Sequence, residues 1–243
     1  MITFDMPTNI IKYKIYDCIT FYQANLLFQL RFEILKDVVD YFVVCEANKT
    51  HSGLKKKFNF NPKIPESYKK KIIYIKVTDL PNIKILGKKD YKLLSLQMEN
   101  LFKGLKNADQ DDLIIFSDED EIPNPDKIKN FNFRNHKFGI FLQNMYYYKL
   151  NIMNTDEGNG NWPGSRICQK KNLKSFFKLR LLKIKNNNYP FWRIDKEKNI
   201  DLIRQGGWHF TYLMKPKDIS KKIQDMAHTE FNKNQFRKIS FIE

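Results

Sequence analysis

Four short apolar runs, separated by helical periodicity, limit the kind of sheet this chain can build. Lys12-Tyr13-Lys14-Ile15-Tyr16-Asp17-Cys18-Ile19 alternates and is rich in β-formers, so it predicts a strand. Asn25 to Lys36 follows with Leu26, Leu27, Leu30, Ile34 and Leu35 at helical spacing. Asp40 to Glu46 and Lys71 to Val77 read as buried strands. Tyr91 to Lys106 reads as a helix with Gly104 near its end, and Asp112 to Ser117 as a fourth strand. A β-α-β-(loop)-β-α-β order implies an α/β fold: a Rossmann-like, mostly parallel sheet flanked by helices. Ligands of such sheets bind beyond the carboxyl ends of the strands.

The second half is less regular. Lys137 to Lys149 is a long β-rich run, and Asn151 to Gly164 a Gly/Asn-rich loop. Asn186-Asn187-Asn188 marks another loop. Gly207 to Leu213 reads as a strand and Lys217 to Met226 as a helix. With no repeat, Pro/Ser-rich linker or low-complexity tail, the expectation is one domain over 1–243. Residues of about 12–123 form a nucleotide-binding half, and those of about 124–243 an acceptor and metal-completing half.

The chain carries 43 Lys and Arg against 27 Asp and Glu, a formal charge of +16. That charge invites a nucleic-acid reading. Only 7 of the 43 are Arg, however, whereas base-edge readers favour the bidentate guanidinium. Specific nucleic-acid binding is therefore not expected; a basic face could instead attract phosphorylated or anionic substrates, or make peripheral contact with an anionic membrane. With 42% hydrophobic residues a packed core is available and wholesale disorder is excluded. No run approaches the roughly 18 apolar residues of a membrane span, and the first residues lack the pattern of a secretory signal or anchor. Cys18, Cys45 and Cys168 are odd in number and lack metal-site spacing, so buried inert thiols are expected. Together these predict a soluble, cytoplasmic protein of a reducing compartment.

Ile114-Ile115-Phe116-Ser117-Asp118-Glu119-Asp120-Glu121-Ile122-Pro123 is the segment richest in chemistry. It puts four consecutive acids at the end of a buried strand in a strongly basic protein. Such acids repel unless a cation neutralises them. Their oxygens suit Mg²⁺ or Mn²⁺, and the D-x-D spacing lets Asp118 and Asp120 face one side. That arrangement can hold a metal already bound to a diphosphate. A solvated turn is the plain alternative, followed by a short helix from Asn124-Pro125-Asp126.

Four blocks of the chain resemble glycosyltransferase family 17. They are Tyr16 to Phe21; Asp37 to Thr50 with Gly53; Ser117 to Pro123; and Gly206-Gly207-Trp208-His209-Phe210 with His228-Thr229-Glu230. The resemblance implies a GT-A fold, a UDP-sugar donor (UDP-GlcNAc in characterised members), a glycan acceptor hydroxyl, a divalent metal and inversion at the anomeric carbon. One departure is Met98 after Gln97, where many members of the family carry an Arg. If that Arg holds a phosphate, another base must replace it here.

The resemblance also suggests roles. Asp120 is the first candidate metal ligand, with Asp118 on ribose or on the metal through water. His209 or His228 would be a late ligand, and Glu121 an outer acid. Asp17 and Glu46, read as ending strands one and two, are candidates for uracil or ribose, with Asn48 beside them. Arg166 would reach the diphosphate. Trp162, in a polar loop, is the best of three tryptophans for stacking on a sugar. Inversion needs one general base. The candidates are Glu230, Asp156 and Glu157, with Glu230 preferred for its place in the His-Thr-Glu block. Two other functions compete. A two-metal nucleotidyltransferase would need a third acid on a neighbouring strand. A basic polyanion- or glycan-binding module would ignore mutation of Asp120.

Overall fold

The computed structural model describes residues 13–82, 91–155 and 162–225. The strands are β1 (Ile15–Phe21), β2 (Tyr41–Ala47), β3 (Ile72–Val77), β4 (Leu113–Asp118), β5 (Glu121–Pro123), β6 (Phe138–Tyr147), β7 (Trp162–Gln169), β8 (Ile200–Ile203) and β9 (Gly207–Thr211). The helices are α1 (Asn25–Leu35), α2 (Lys92–Glu99), α3 (Pro125–Lys129), α4 (Phe176–Arg180) and α5 (Pro216–Asp225).

All described strands join one sheet, ordered β3-β2-β1-β4-β7-β6-β9-β5, with β8 beside β6. The first four strands in that order are parallel. β7 runs antiparallel to both β4 and β6, β6 is parallel to β8 and β9, and β5 is antiparallel to β9. The sheet is mixed but predominantly parallel, with helices packed on its faces, as the alternating sequence pattern requires.

Period-two alternation sorts the core. Cys18, Val43, Cys45, Ile114 and Phe116 face one side, where Leu93, Met98 and Leu101 cover them. Ile19, Phe42, Val44 and Ile115 face the other, against Phe28, Phe32 and Leu35 of α1. Each such large apolar side chain, fully buried, contributes about 1.5–3 kcal/mol. The cysteines are free and buried, and burial pushes the Cys45 thiol up to about 12.

Several elements differ from the expected ones. The helix predicted through Lys106 is α2 followed by a 3₁₀ segment, Asn100–Leu105. The tighter turn seats Gly104 against β2, where a Cβ would lie 2.4 Å from a Val43 methyl. β7 begins at Trp162, inside the predicted loop, because β6 supplies its first residues with partners before β4 joins from Arg166. Asp17 sits in the middle of β1 rather than at its end.

Two glycines bring distant parts of the chain together. Gly206 lies against the β6 backbone, where a Cβ would meet Leu142 N at 2.7 Å. Gly207 has φ +125°, and a Cβ there would come within 2.1 Å of Ile122 O. Only glycine tolerates both the left-handed conformation and this approach. β9 therefore pairs with β5 in a register that sets His209 opposite Glu121 and Trp208 opposite Ile122. No described helix is long and apolar enough to cross a membrane.

Candidate active site

A cleft of about 450 Å³ opens at the carboxyl ends of β1, β2 and β4. Phe21, Tyr22, Ala47, Tyr91 and Leu94 supply its apolar and aromatic lining. Asp118, Glu119, Asp120, Lys49, Lys56, Arg180, Lys222 and His209 supply its charged and titratable lining.

The acidic turn resolves its own repulsion by dividing its side chains. Glu119 accepts from the amides of Tyr22 (2.9 Å), Gln23 (3.3 Å) and Ala24 (3.3 Å), fixing the entry to α1. Burial pushes its carboxyl up, and Lys222 with those amides only partly offsets that. Glu121 accepts from Trp162 Nε1 at 3.0 Å and from the Asp118 amide at 3.2 Å; its burial, with Asp118 nearby, also raises its pKa. Asp118 and Asp120 line the cleft, as the D-x-D spacing predicts.

Each of these two aspartates meets a cation. Arg180, the last residue of α4, grips Asp118 through Nη2 (2.5 Å) and Nε (3.3 Å), and Asp118 raises its pKa. Lys222, on α5, donates to Asp120 at 2.9 Å. Burial alone would raise the Asp120 pKa, but Lys222 and His209 outweigh it and hold the carboxylate well below its usual range. The same contest lifts Lys222: burial lowers its pKa, and Asp120 and Glu119 raise it further.

His209 Nε2 lies 3.0 Å from Thr211 Oγ1 and 3.5 Å from Asp120 Oδ1. Its ring rests on Trp162 at 4.8 Å, and its Nδ1 is buried without a hydrogen-bond partner. Among the described residues no three His, Cys, Asp or Glu side chains form a ready cage for a metal. The donor chemistry nonetheless fits a hard or borderline divalent ion. Two aspartates facing one cleft, with His209 Nε2 3.5 Å from Asp120 Oδ1, suit a metal that takes its remaining ligands from phosphate and water.

Four expected nucleotide contacts are committed elsewhere. Asp17 is 1% exposed, and Arg31 of α1 chelates it through Nε and Nη2, both at 2.5 Å. The same guanidinium reaches Ser117 Oγ (2.8 Å) and the Glu121 carbonyl, bracing the acidic turn from behind. Glu46 is wholly buried. It accepts from Lys56 Nζ, the Asn59 and Phe60 amides and Tyr74 OH, fastening the segment after β2. Asn48 stands beside β3, with Nδ2 3.5 Å from Thr78 O and Oδ1 buried. Arg166 is also buried. It ties Pro163 O (2.5 Å) to Leu182 O (3.4 Å) rather than lining the cleft, and burial lowers its pKa to about 10. None of these four lines the cleft with its neighbours in the charged group.

Trp162 does line the cleft, from the first position of β7 rather than from a loop. Trp208 packs with Leu27, Ile122 and Phe210, and Trp192 is 65% exposed. Asp156, Glu157, His228 and Glu230 lie outside the described residues. Sequence reasoning missed Arg180 and Lys222, which no motif marks. It also missed His51, whose Nε2 meets Gln97 Oε1 at 2.9 Å. Gln97 Nε2 donates to Cys45 O (2.9 Å), so its Oε1 accepts and His51 Nε2 donates. Burial lowers the His51 pKa, favouring the neutral ring.

Comparison with known proteins bears on this geometry. No curated protein matches the chain. A galactosyltransferase solved with donor and acceptor sugar analogues is similar at 13% identity and a TM-score of 0.35, covering 76% of this chain and 72% of its own. The profile of glycosyltransferase family 17 matches residues 6–156, more than half the sequence, a stretch that contains β1 to β6 and the whole acidic turn. The chain belongs to glycosyltransferase family 17, and it is therefore a glycosyltransferase.

Proposed function

We propose that this protein transfers a sugar, GlcNAc, from a UDP-sugar to a hydroxyl of a glycan acceptor with inversion at the anomeric carbon. The observation that supports this most directly is the pair Asp118 and Asp120, both lining the cleft beyond β4, with Arg180 and Lys222 beside them. A donor diphosphate lying there meets two fixed positive charges, which favour the charge that builds on the departing UDP. Mn²⁺ or Mg²⁺, held by Asp120 and His209 with Asp118 beside it, would supply Lewis-acid stabilisation of that same charge. Phe21, Tyr22 and Tyr91 offer faces on which a base or sugar can lie. Glu230 is the preferred general base, with Asp156 and Glu157 the alternatives. Asp17 bears on the nucleotidyltransferase reading: it is the acid of the neighbouring strand and is tied to Arg31 instead of the cleft.

Calorimetry of UDP and UDP-GlcNAc with and without Mn²⁺, on the wild type and Asp120→Ala, tests the reading. Binding that needs Mn²⁺ and disappears in the variant is the expected result. A folded wild type that binds neither compound under any metal condition would sink it.

A further inference from the structure

The segment between α4 and β8 carries the most exposed apolar side chains described. Phe191 is 86% exposed, Trp192 65% and Ile194 94%. Single exposed hydrophobics are ordinary. Three within four positions, standing clear of the protein body, are not.

The segment is built to hold them there. Lys198 Nζ donates to the carbonyls of Pro190 (2.6 Å), Phe191 (3.2 Å) and Arg193 (3.1 Å), cross-bracing the turn from inside. Arg193 forms a fork with Asp195 (2.7 and 2.8 Å) and lies 5.2 Å from the Tyr189 ring. Asn187 closes the base with two bonds to Ile200, at 2.7 and 3.1 Å. Phe191 and Trp192 meet edge to face at 5.2 Å. The apolar tip is thus ordered before any partner arrives, which lowers the entropy lost on docking.

Its surroundings are basic. Residues 181–199 hold five Lys and Arg and two acids. Both acids are already paired, Asp195 with Arg193 and Lys196, and Glu197 with Lys174; with Lys198 spent on the turn's carbonyls, the positive charge left exposed beside the tip is that of Lys183 and Lys185. An aromatic and aliphatic tip collared by positive charge has the composition of a surface that enters the headgroup region of a bilayer. The +16 charge of the whole chain adds long-range attraction to anionic lipid. We propose that the 189–198 turn docks the protein on an anionic lipid surface, inserting Phe191, Trp192 and Ile194 while the exposed Lys183 and Lys185 beside it contact headgroups. This does not depend on the donor or acceptor of the transfer reaction.

Vesicle sedimentation of the full chain tests it, with phosphatidylcholine alone and with phosphatidylcholine mixed with phosphatidylserine. The expected result is binding to the mixed vesicles only. The triple variant Phe191→Ser/Trp192→Ser/Ile194→Ser should lose about tenfold or more in partitioning. Lys69→Glu/Lys70→Glu, on another exposed basic turn, should retain most of it. A wild type left in the supernatant overturns the proposal. So does a triple variant that binds like the wild type, or one matched by the distant charge variant, since either means general adsorption. Light scattering without lipid provides another check: self-association that the triple variant abolishes would assign the tip to a second copy instead. If the triple variant misfolds, tryptophan fluorescence decides. The emission should shift to the blue on mixed vesicles, and Trp192→Phe should remove the shift; a shift that survives the substitution refutes insertion at this turn.

Discussion

Asp17 separates two accounts of this fold. As a nucleotide contact, it would be dispensable for stability. In the structure it is the counter-ion of Arg31, at 1% and 0% exposure, through two 2.5 Å bonds. Asp17→Asn leaves that guanidinium buried without its charge partner, at a cost of about 3–5 kcal/mol. Arg31→Met should cost a similar amount, because it strands Asp17 and removes the donor to Ser117 Oγ and the Glu121 carbonyl. The double variant Asp17→Leu/Arg31→Met removes both charges. What remains is chiefly the unsatisfied Glu121 carbonyl, about 1–3 kcal/mol, since Ser117 keeps its 2.7 Å bond to Ser165. The double should therefore be much less destabilised than the sum of the singles. Urea denaturation read by circular dichroism gives all three values, with the midpoint shift multiplied by a common slope. A loss below about 1 kcal/mol in Asp17→Asn, with weaker UDP binding, would refute the structural role and restore the contact with nucleotide.

Two further outcomes follow from the cleft. Burial lowers the His209 pKa, but Asp120 outweighs it, so the folded value lies above 6.5. Protonated His209 accordingly adds stability that is fully present below the unfolded value, about 6.5, and is lost as pH rises through the folded pKa. NMR titration of the metal-free protein should show this, and Asp120→Asn should bring the value down; no change in that variant would exclude the coupling. Gly207→Ala meets both a φ of +125° and the Ile122 carbonyl. It should lose about 1–3 kcal/mol from backbone strain alone, read by thermal denaturation, and weaken nucleotide binding by displacing His209; wild-type values for both would contradict the β5–β9 register.

The parallel half of the sheet was legible because its signals are local. Tyr41–Ala47 and Leu113–Asp118 are short apolar runs, and α1 shows its apolar spacing within its own residues. The acidic turn was legible for the same reason. β7 was not, because Trp162-Pro163-Gly164-Ser165 has loop chemistry and its start is held extended by pairing with β6, which no local pattern announces. The acids Asp17 and Glu46 were visible, but their partners were not. Arg31 stands 14 positions from Asp17, and Tyr74 stands 28 from Glu46. Lys222 was hidden among 36 lysines, since composition cannot say which of them a helix turns inward.

Met98 shows how the fold constrains the source of positive charge. It is fully buried on α2, packed in the same core as Leu101, Phe116 and Phe176. An arginine there would need to escape that core or find a buried acid. α4 packs against α2 and ends in Arg180, whose guanidinium already lies on Asp118 at the cleft. Arg180 is thus the base in this structure best placed to substitute for one at position 98, and it reaches the acidic turn from the neighbouring helix. Its grip on Asp118 holds the turn together in the free protein, much as Lys222 does for Asp120. On the proposed function, a donor diphosphate entering the cleft would exchange those carboxylate partners for phosphate oxygens at the same cations, so the charge that steadies the turn would also receive the leaving group.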